Sequence, residues 1–289
     1  MKFDFIAAEN AKQQFEVSFM CRELGVSKSG FYAYRSREAS NRQREDVELA
    51  ALVVEEFKKH PRGCGSRMIR GALCARGHAV GRNRVRRLMA QQNLRHRLKR
   101  RFARTKCSPR DLHVAQNIVD RNFEVGVPDK VWASDITYLP MRRGWAYLAV
   151  VLDLGSRRVV GWQVGSSMEE ALVLSALRQA IEARRPAAGL VSHSDRGTQY
   201  TGSGYQRLLA EHDMVCSMSR RANCWDNACV ESFFSTLKRE LPTCGPFDDI
   251  QELERAVFTY IDAHYNTRRP HSALGYRTPN EYEELQAAT

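Results

Sequence analysis

Between Phe57 and Arg110 the chain has no aspartate and no glutamate. Those 54 residues carry 18 lysines and arginines, while the rest of the chain, with 27 basic against 33 acidic residues, sums to −6. A block this long without an acid is not the mixed-charge face of an ordinary surface helix. It fits phosphate neutralisation, with an affinity that falls steeply as salt rises. No apolar run approaches the ~18 residues of a membrane span. The longest candidate, from Trp145 to Leu154, is broken by Asp153 and is strand-sized. The opening Met1-Lys2-Phe3-Asp4 lacks the basic-then-apolar layout of a signal peptide. Internal repeats and low-complexity tracts are also missing. The eight cysteines (21, 64, 74, 107, 216, 224, 229 and 244) are scattered, which points to reduced thiols rather than a disulfide framework. These absences point to a cytoplasmic, nucleoid-associated protein with no membrane partner.

What is present is ordinary for a globular chain. The 289 residues are 43% hydrophobic and 27% charged, enough for two or three domains. The first 110 residues read as helical. Val17–Arg37 reads as a small helix-turn-helix, with Gly25 at the turn and Ser27 capping a helix that Lys28 opens. A second unit pairs a helix over Ser66–Arg76 with another over Asn83–Asn93, with Gly77 and Gly81 between them. The outward residues of its second helix include Arg84, Arg86 and Arg87, donors suited to phosphates and guanine edges in a major groove. Arg97, Arg100, Arg101 and Lys28 are further candidate DNA contacts.

Beyond a connector the period changes. Val131–Leu139, Ala146–Leu154 and Arg157–Val164 are β-rich runs joined by short turns, hence antiparallel hairpins. A helix over Glu169–Arg184, a strand over Leu190–Ser194, a helix over Tyr205–His212, a strand over Met214–Met218 and a helix over Asp226–Leu241 follow, the last capped by Asp226. The order β-β-β-α-β-α-β-α predicts a mixed sheet with helices on its faces. The domain boundaries expected are 1–44 for an N-terminal helix-turn-helix arm, 45–110 for the second, basic helix-turn-helix, 111–127 for the connector and 128–285 for a catalytic domain with a C-terminal helical extension.

Three acids stand out by position. Asp135 lies inside an apolar strand, where a charge is costly unless paired or metal-bound. Asp195 follows a buried strand directly, and ligand sites sit at strand carboxyl ends. Glu231 lies on the late helix, with Lys238 two turns further along. Each alone has a structural reading: a strand-end hydrogen bond, a turn cap, an exposed helix residue. Together, oxygen donors from two strands and a covering helix suit magnesium and in-line phosphoryl displacement. His193 and His271 are expected as neighbours of the site, and Asp153 as a structural partner of the turn after it. His60, Cys64, Cys74 and His78 mimic zinc spacing, but the cysteines fall in or beside helices already assigned. Trp132 and Trp225 read equally as core or as DNA-stacking residues.

The spacing carries a resemblance. Asp135 and Asp195 are separated by 59 residues, and Asp195 and Glu231 by 35. This resembles the D-D-35-E core shared by retroviral integrases and bacterial insertion-sequence transposases. More closely, the chain resembles the OrfB product of insertion sequences whose OrfA and OrfB are joined by frameshifting. The matching stretches run from Trp132 to Tyr138, Tyr147 to Arg157, His193 to Tyr200 and Asp226 to Lys238, with Tyr265, Asn266, Arg269 to His271, Thr278 and Pro279 beyond. The resemblance implies an α/β fold: an RNase H-like mixed-sheet catalytic core preceded by all-α helix-turn-helix DNA-binding units. It implies that Asp135, Asp195 and Glu231 hold a divalent metal, Mg2+ or Mn2+, and that Lys238 contacts DNA near the cleaved phosphate. It implies cleavage of phosphodiesters at element ends and 3′-hydroxyl strand transfer, with double-stranded DNA, an OrfA fusion or partner, and a homo-oligomer on DNA. Two other readings stay open on sequence: an RNase H-like nuclease without strand transfer, and an inactive DNA-binding regulator of transposition.

Overall fold

The computed structural model describes residues 2–12, 15–36, 38, 40–60, 64–95, 115–123, 125–220, 224–241 and 247–288. Two compact units divide the chain, Met1–Ala51 and Leu52–Thr289.

The first unit holds α1 (Lys2–Ala11), α2 (Val17–Glu23) and α3 (Lys28–Ser36). Gly25 takes a φ of +62°, the left-handed turn that only glycine adopts without penalty. Ser27 Oγ accepts the Gly30 N–H at 3.0 Å, which caps α3 as expected. Ile6, Met20, Cys21 and Phe31 form its small core, so Phe31 packs inward while Tyr32 and Tyr34 are exposed. Lys28 is exposed at the first position of α3. Helix α4 (Asn41–Lys58) follows.

The second unit begins with a basic helical pair, α5 (Ser66–Ala75) and α6 (Arg82–Gln91). Ile69 and Leu73 of α5 and Val85, Leu88 and Met89 of α6 are buried at helical spacing. Arg86 and Arg87 are exposed, and Arg84 is half-buried. Arg97, Arg100 and Arg101 lie outside the described residues. Helix α5 meets the C-terminal segment at Gly71. A Cβ at that position would fall 2.2 Å from Cγ of Tyr276, so the ring packs directly on helix backbone.

Five strands follow in one mixed sheet: β1 (Val131–Pro140), β2 (Trp145–Asp153), β3 (Val159–Gly165), β4 (Val191–Ser194) and β5 (Val215–Met218). Their spatial order is β3-β2-β1-β4-β5. The first three are antiparallel hairpins, and β1, β4 and β5 are parallel. Alternation along the strands sends side chains to two faces. On one face Trp132, Ala149, Val151 and Val160 pack under α7 (Glu170–Arg184), α8 (Thr198–Thr201) and α9 (Ser203–Glu211). On the other, Ala133, Leu148, Val150 and Leu152 pack under α10 (Ala228–Glu240) and α11 (Ile250–Tyr260). This arrangement is RNase H-like, as the resemblance implies.

Several details depart from the sequence reading. The third strand starts at Val159, because Asp153 takes the backbone N–H and hydroxyl of Ser156 (2.7 and 2.6 Å) and ties the preceding residues into a turn. Asp153 also accepts from the Asp129 N–H, so its role is structural. The described part of the connector is no free linker. Val119 is buried in the core, and Ile118 N–H donates to Ser217 Oγ at 3.0 Å. The chain after α11 widens into a π-turn at Ile261–Tyr265, then runs through a 3₁₀ turn at Ser272–Leu274 to α12 (Pro279–Ala287). Asn266 follows the π-turn and bonds both the N–H and the C=O of Val159, at 3.1 and 3.0 Å, closing the start of β3. Thr278 and Glu281 form a reciprocal capping box at α12, with Pro279 in its first turn.

Candidate active site

The parallel pairing of β1 with β4 sets Ala133 beside His193. Two steps further in that register, Asp195 follows the end of β4 on the flank of Asp135. Asp135 shares the face of Ala133, the face that α10 covers. Glu231 stands in the first turn of α10. A strand interior, a strand end and a helix start thus carry the three carboxylates.

Two are held directly by a partner outside the trio, and the third through its helix. Asp135 Oδ1 accepts the Ile136 N–H at 2.8 Å, and Asp195 Oδ1 accepts the Gly197 N–H at 2.9 Å. The helix carrying Glu231 is anchored by Asn227, whose side-chain amide donates to Ser134 O at 3.1 Å. Asp226, expected as the helix cap, does something else. Asn227 occupies the N-cap. The Asp226 side chain is fully buried and takes Asn117 Nδ2 (3.1 Å), Arg121 Nε (2.9 Å), and the backbone and guanidinium of Arg220 (2.9 to 3.0 Å). It ties the connector and the loop after β5 to the start of α10. The Arg220 bonds, helped by Arg121, hold its carboxyl well below the usual carboxylate range.

Asp135 feels the charges of the other two acids. Burial pushes Asp135 up to about 8, and the negative charges of Asp195 and Glu231 add to the rise. The Ile136 N–H and the ammonium of Lys238 oppose it. Asp195 and Glu231 sit at the solvent-open rim, and partial desolvation raises both. Lys238 lies on the same rim, its ammonium 4.2 Å from the centre of the Tyr138 ring. Desolvation lowers its pKa, and Asp135 resists the change. Among the described residues no three His, Cys, Asp or Glu side chains form a cluster that could hold a metal ion as they stand. The zinc-like set is no exception: Cys74 is exposed, while His60 lies edge-on to His264.

Two histidines expected beside the site are elsewhere engaged. His193 is fully buried, with Nδ1 bonded to Ser217 Oγ (2.9 Å) and Nε2 to Asp226 O (3.1 Å) and Ser219 Oγ (3.2 Å). Its ring links β4 to β5 and the start of α10, leaving no nitrogen for a phosphate. His271 packs edge-on to Tyr265 in the C-terminal segment, 4.7 Å between ring centres. Burial and then Arg269 push it down to about 3, so it stays neutral. Trp132 is core, its indole N–H donating to Asp129, whereas Trp225 is exposed.

Residues 127–224 match the family described as Integrase core domain, residues 212–279 match a second family of that description, and residues 43–102 match the HTH-like domain family. Transposase InsF for insertion sequence IS3A of Escherichia coli (strain K12) is 35% identical over 290 residues, covering 100% of both chains. The chain belongs to the family of IS3 insertion-sequence transposases. An uncharacterized 31 kDa protein of insertion element IS600 from Shigella sonnei is 36% identical over 265 residues, covering 92% of this chain and 97% of its own. Among solved structures, the HTLV-2 integrase catalytic core domain in complex with magnesium aligns at 18% identity and a TM-score of 0.42, over 54% of this chain and 97% of that one. A simian T-cell lymphotropic virus intasome in complex with PP2A regulatory subunit B56 gamma aligns at 16% identity and a TM-score of 0.46, over 76% and 70%. As an IS3-family transposase the chain is a DNA transposase, a polynucleotidyl transferase built on an integrase-like core.

Proposed function

We propose that Asp135, Asp195 and Glu231 are the metal-holding triad of this transposase, that it cuts phosphodiesters at the ends of its insertion sequence, and that it joins the freed 3′-hydroxyls to DNA. The observation that supports this reading is placement: Asp135 lies inside β1, Asp195 directly follows the neighbouring parallel strand β4, and Glu231 stands in the first turn of α10, the helix over the face of Asp135. The donor set fits magnesium or manganese, since all three groups are hard oxygen donors. Asp135 and Asp195 each tie one oxygen to a backbone N–H, which leaves the other for a cation. Divalent ions bound there would activate the attacking oxygen and stabilise the leaving one.

The protein's own groups do the rest. The Gly197 N–H fixes Asp195, and Asn227 fixes the first turn of α10 and with it Glu231. Lys238 offers a positive charge at the rim, where a non-bridging phosphate oxygen would lie. In the first step a water oxygen bonds to phosphorus and the bond to the departing strand's 3′-oxygen breaks. In the second, that 3′-hydroxyl loses its proton as its oxygen bonds to the phosphorus of another phosphodiester, whose bond to its own 3′-oxygen breaks and leaves a new 3′-hydroxyl. Neither step needs a covalent link to the protein.

Residues 1–44 and 45–110 serve as DNA-binding arms joined through 111–127 to a catalytic domain over 128–285. Lys28, Arg84, Arg86, Arg87, Arg97, Arg100 and Arg101 meet DNA phosphates or base edges. Pairing two ends calls for a homo-oligomer, and OrfA, fused or separate, supplies further end recognition. The test is Asp195→Asn, assayed on linear DNA carrying the inverted repeats that flank the gene. Cleavage and joining are lost while DNA binding stays. Undiminished activity overturns the triad assignment.

A further inference from the structure

The hairpin joining β1 to β2 leaves Trp145 55% exposed. A large indole facing water at a tight turn gives the fold little that a smaller β-former would not. Its surroundings are specific. Tyr138 and Trp145 share a sheet face diagonally across the hairpin, since Tyr138 pairs with Tyr147 and Pro140 with Trp145. Their ring centres are 5.1 Å apart and the planes are perpendicular, so each ring fixes the other's tilt. The Lys238 ammonium caps the Tyr138 ring at 4.2 Å. Lys238 in turn feels the charge of Asp135. Lys238, on the helix that covers the face of Asp135, therefore reaches the Tyr138 ring, and beyond that ring lies an open indole.

The strand geometry leaves this route accessible. Among the described residues β1 pairs with β4 only over Val131–Ala133. From Asp135 to Pro140 one edge of β1 is not covered by that neighbour. The turn adds exposed Arg143, and Arg142 is already paired with Asp248. A rigid aromatic face with a cation beside it is the pattern by which proteins hold unpaired nucleobases, the ring stacking on the base and the cation meeting its phosphate. A base inside a duplex cannot reach such a face without leaving its stack.

We propose that Trp145, braced by Tyr138 and aligned by Lys238, is a stacking platform for one unpaired or extruded base of the DNA strand next to the reacting phosphate. This inference rests on the assignment of the triad as the place where that phosphate sits. It adds a local requirement for strand opening at the site of reaction. A protein partner on the same indole is the competing occupant.

The experiment uses the full chain in EDTA and two probes of the same sequence: a fully paired duplex, and a fork with three unpaired nucleotides containing 2-aminopurine. The wild type binds the fork more tightly and quenches the 2-aminopurine. Trp145→Ala weakens fork binding about tenfold, with duplex binding unchanged and the quench lost. Trp145→Phe restores most of both, and the unchanged duplex binding shows that the alanine variant did not fail merely by misfolding. A wild type that does not distinguish fork from duplex overturns the proposal. So does a Trp145→Ala chain that keeps the preference and the quench, the result expected if the indole serves a protein partner. Because this readout is metal-free binding, it is separable from loss of chemistry in Asp195→Asn.

Discussion

Gly71→Ala is the sharpest probe of how the basic helical pair is joined to the catalytic core. In an ordinary helix interior this change stabilises by about 1 kcal/mol, because alanine loses less backbone entropy. Here the added Cβ would stand 2.2, 2.3 and 2.6 Å from three ring carbons of Tyr276. Ordinary carbon contact is about 3.5–4.0 Å, so the overlap exceeds an ångström. Rotating the ring does not help, since the nearest atom, Cγ, lies at its root. Nor is the backbone free to retreat. Tyr276 sits at φ +65°, its N–H donates to His271 O at 2.8 Å, and the His271 N–H donates to Arg277 O at 2.9 Å. Overpacking of this kind costs about 1–3 kcal/mol, which reverses the helix-propensity gain. The expected outcome is a lower urea midpoint for Gly71→Ala at unchanged slope. With Tyr276→Ala already present, the same change becomes stabilising, and the double-mutant cycle returns a coupling of about 1–3 kcal/mol, the overpacking that the ring imposes. A Gly71→Ala that stabilises in both backgrounds would refute the claimed packing of ring on helix.

Asp226→Ala removes the buried acceptor of Asn117, Arg121 and Arg220, whose guanidiniums are half-exposed and can turn to water, and should cost about 1–3 kcal/mol in thermal or urea unfolding. The folded carboxyl titrates below its unfolded value, so its contribution is full above the usual carboxylate range and fades as pH falls through the folded pKa; Asp226→Asn should flatten that acid limb of the stability profile. Asn266→Ala strips both bonds from buried Val159 and should cost about 1–3 kcal/mol, with faster amide exchange at Val159. Charge reversal at Arg86 and Arg87 should weaken binding to all DNA sequences alike. It should also make the plot of log affinity against log salt shallower by about 0.9 for each phosphate no longer neutralised; an unchanged slope would remove α6 from the interface.

The sheet is readable from period-2 patterning and short turns. The proposed triad is suggested by two spacings and by acids placed inside an apolar strand and directly after one, where a charge is costly unless paired or metal-bound. Asp226 is legible as an acid before a helix and so looks like a cap. Its real donors, on Asn117, Arg121 and Arg220, include two from about a hundred residues upstream, and no local pattern announces that meeting. His193 and His271 have the chemistry for phosphate contact, and only the packing around them shows that other groups or apolar surfaces claim their rings. The C-terminal segment reads as a mere helical extension. Its bonds to β3 and its seat on Gly71 depend on a π-turn and on left-handed φ values at Gly275 and Tyr276, which helix periodicity does not encode.

These long-range ties are what lets the carboxylates stand where they do. Three like charges brought together in a partly desolvated site repel, and desolvation and repulsion together raise Asp135 to about 8. What holds the three segments is not found among the acids. The Asn227 amide clamps α10 to the backbone of β1, buried Asp226 pulls the connector and the loop after β5 onto the same helix start, and His193 joins β4 to β5 beneath them. The clamps are a neutral amide, a buried carboxylate held by two half-exposed guanidiniums, and a buried ring; none of them is one of the three carboxylates. The acids therefore keep a position they would not choose for themselves, and cations near them relieve a repulsion that the rest of the fold already sustains.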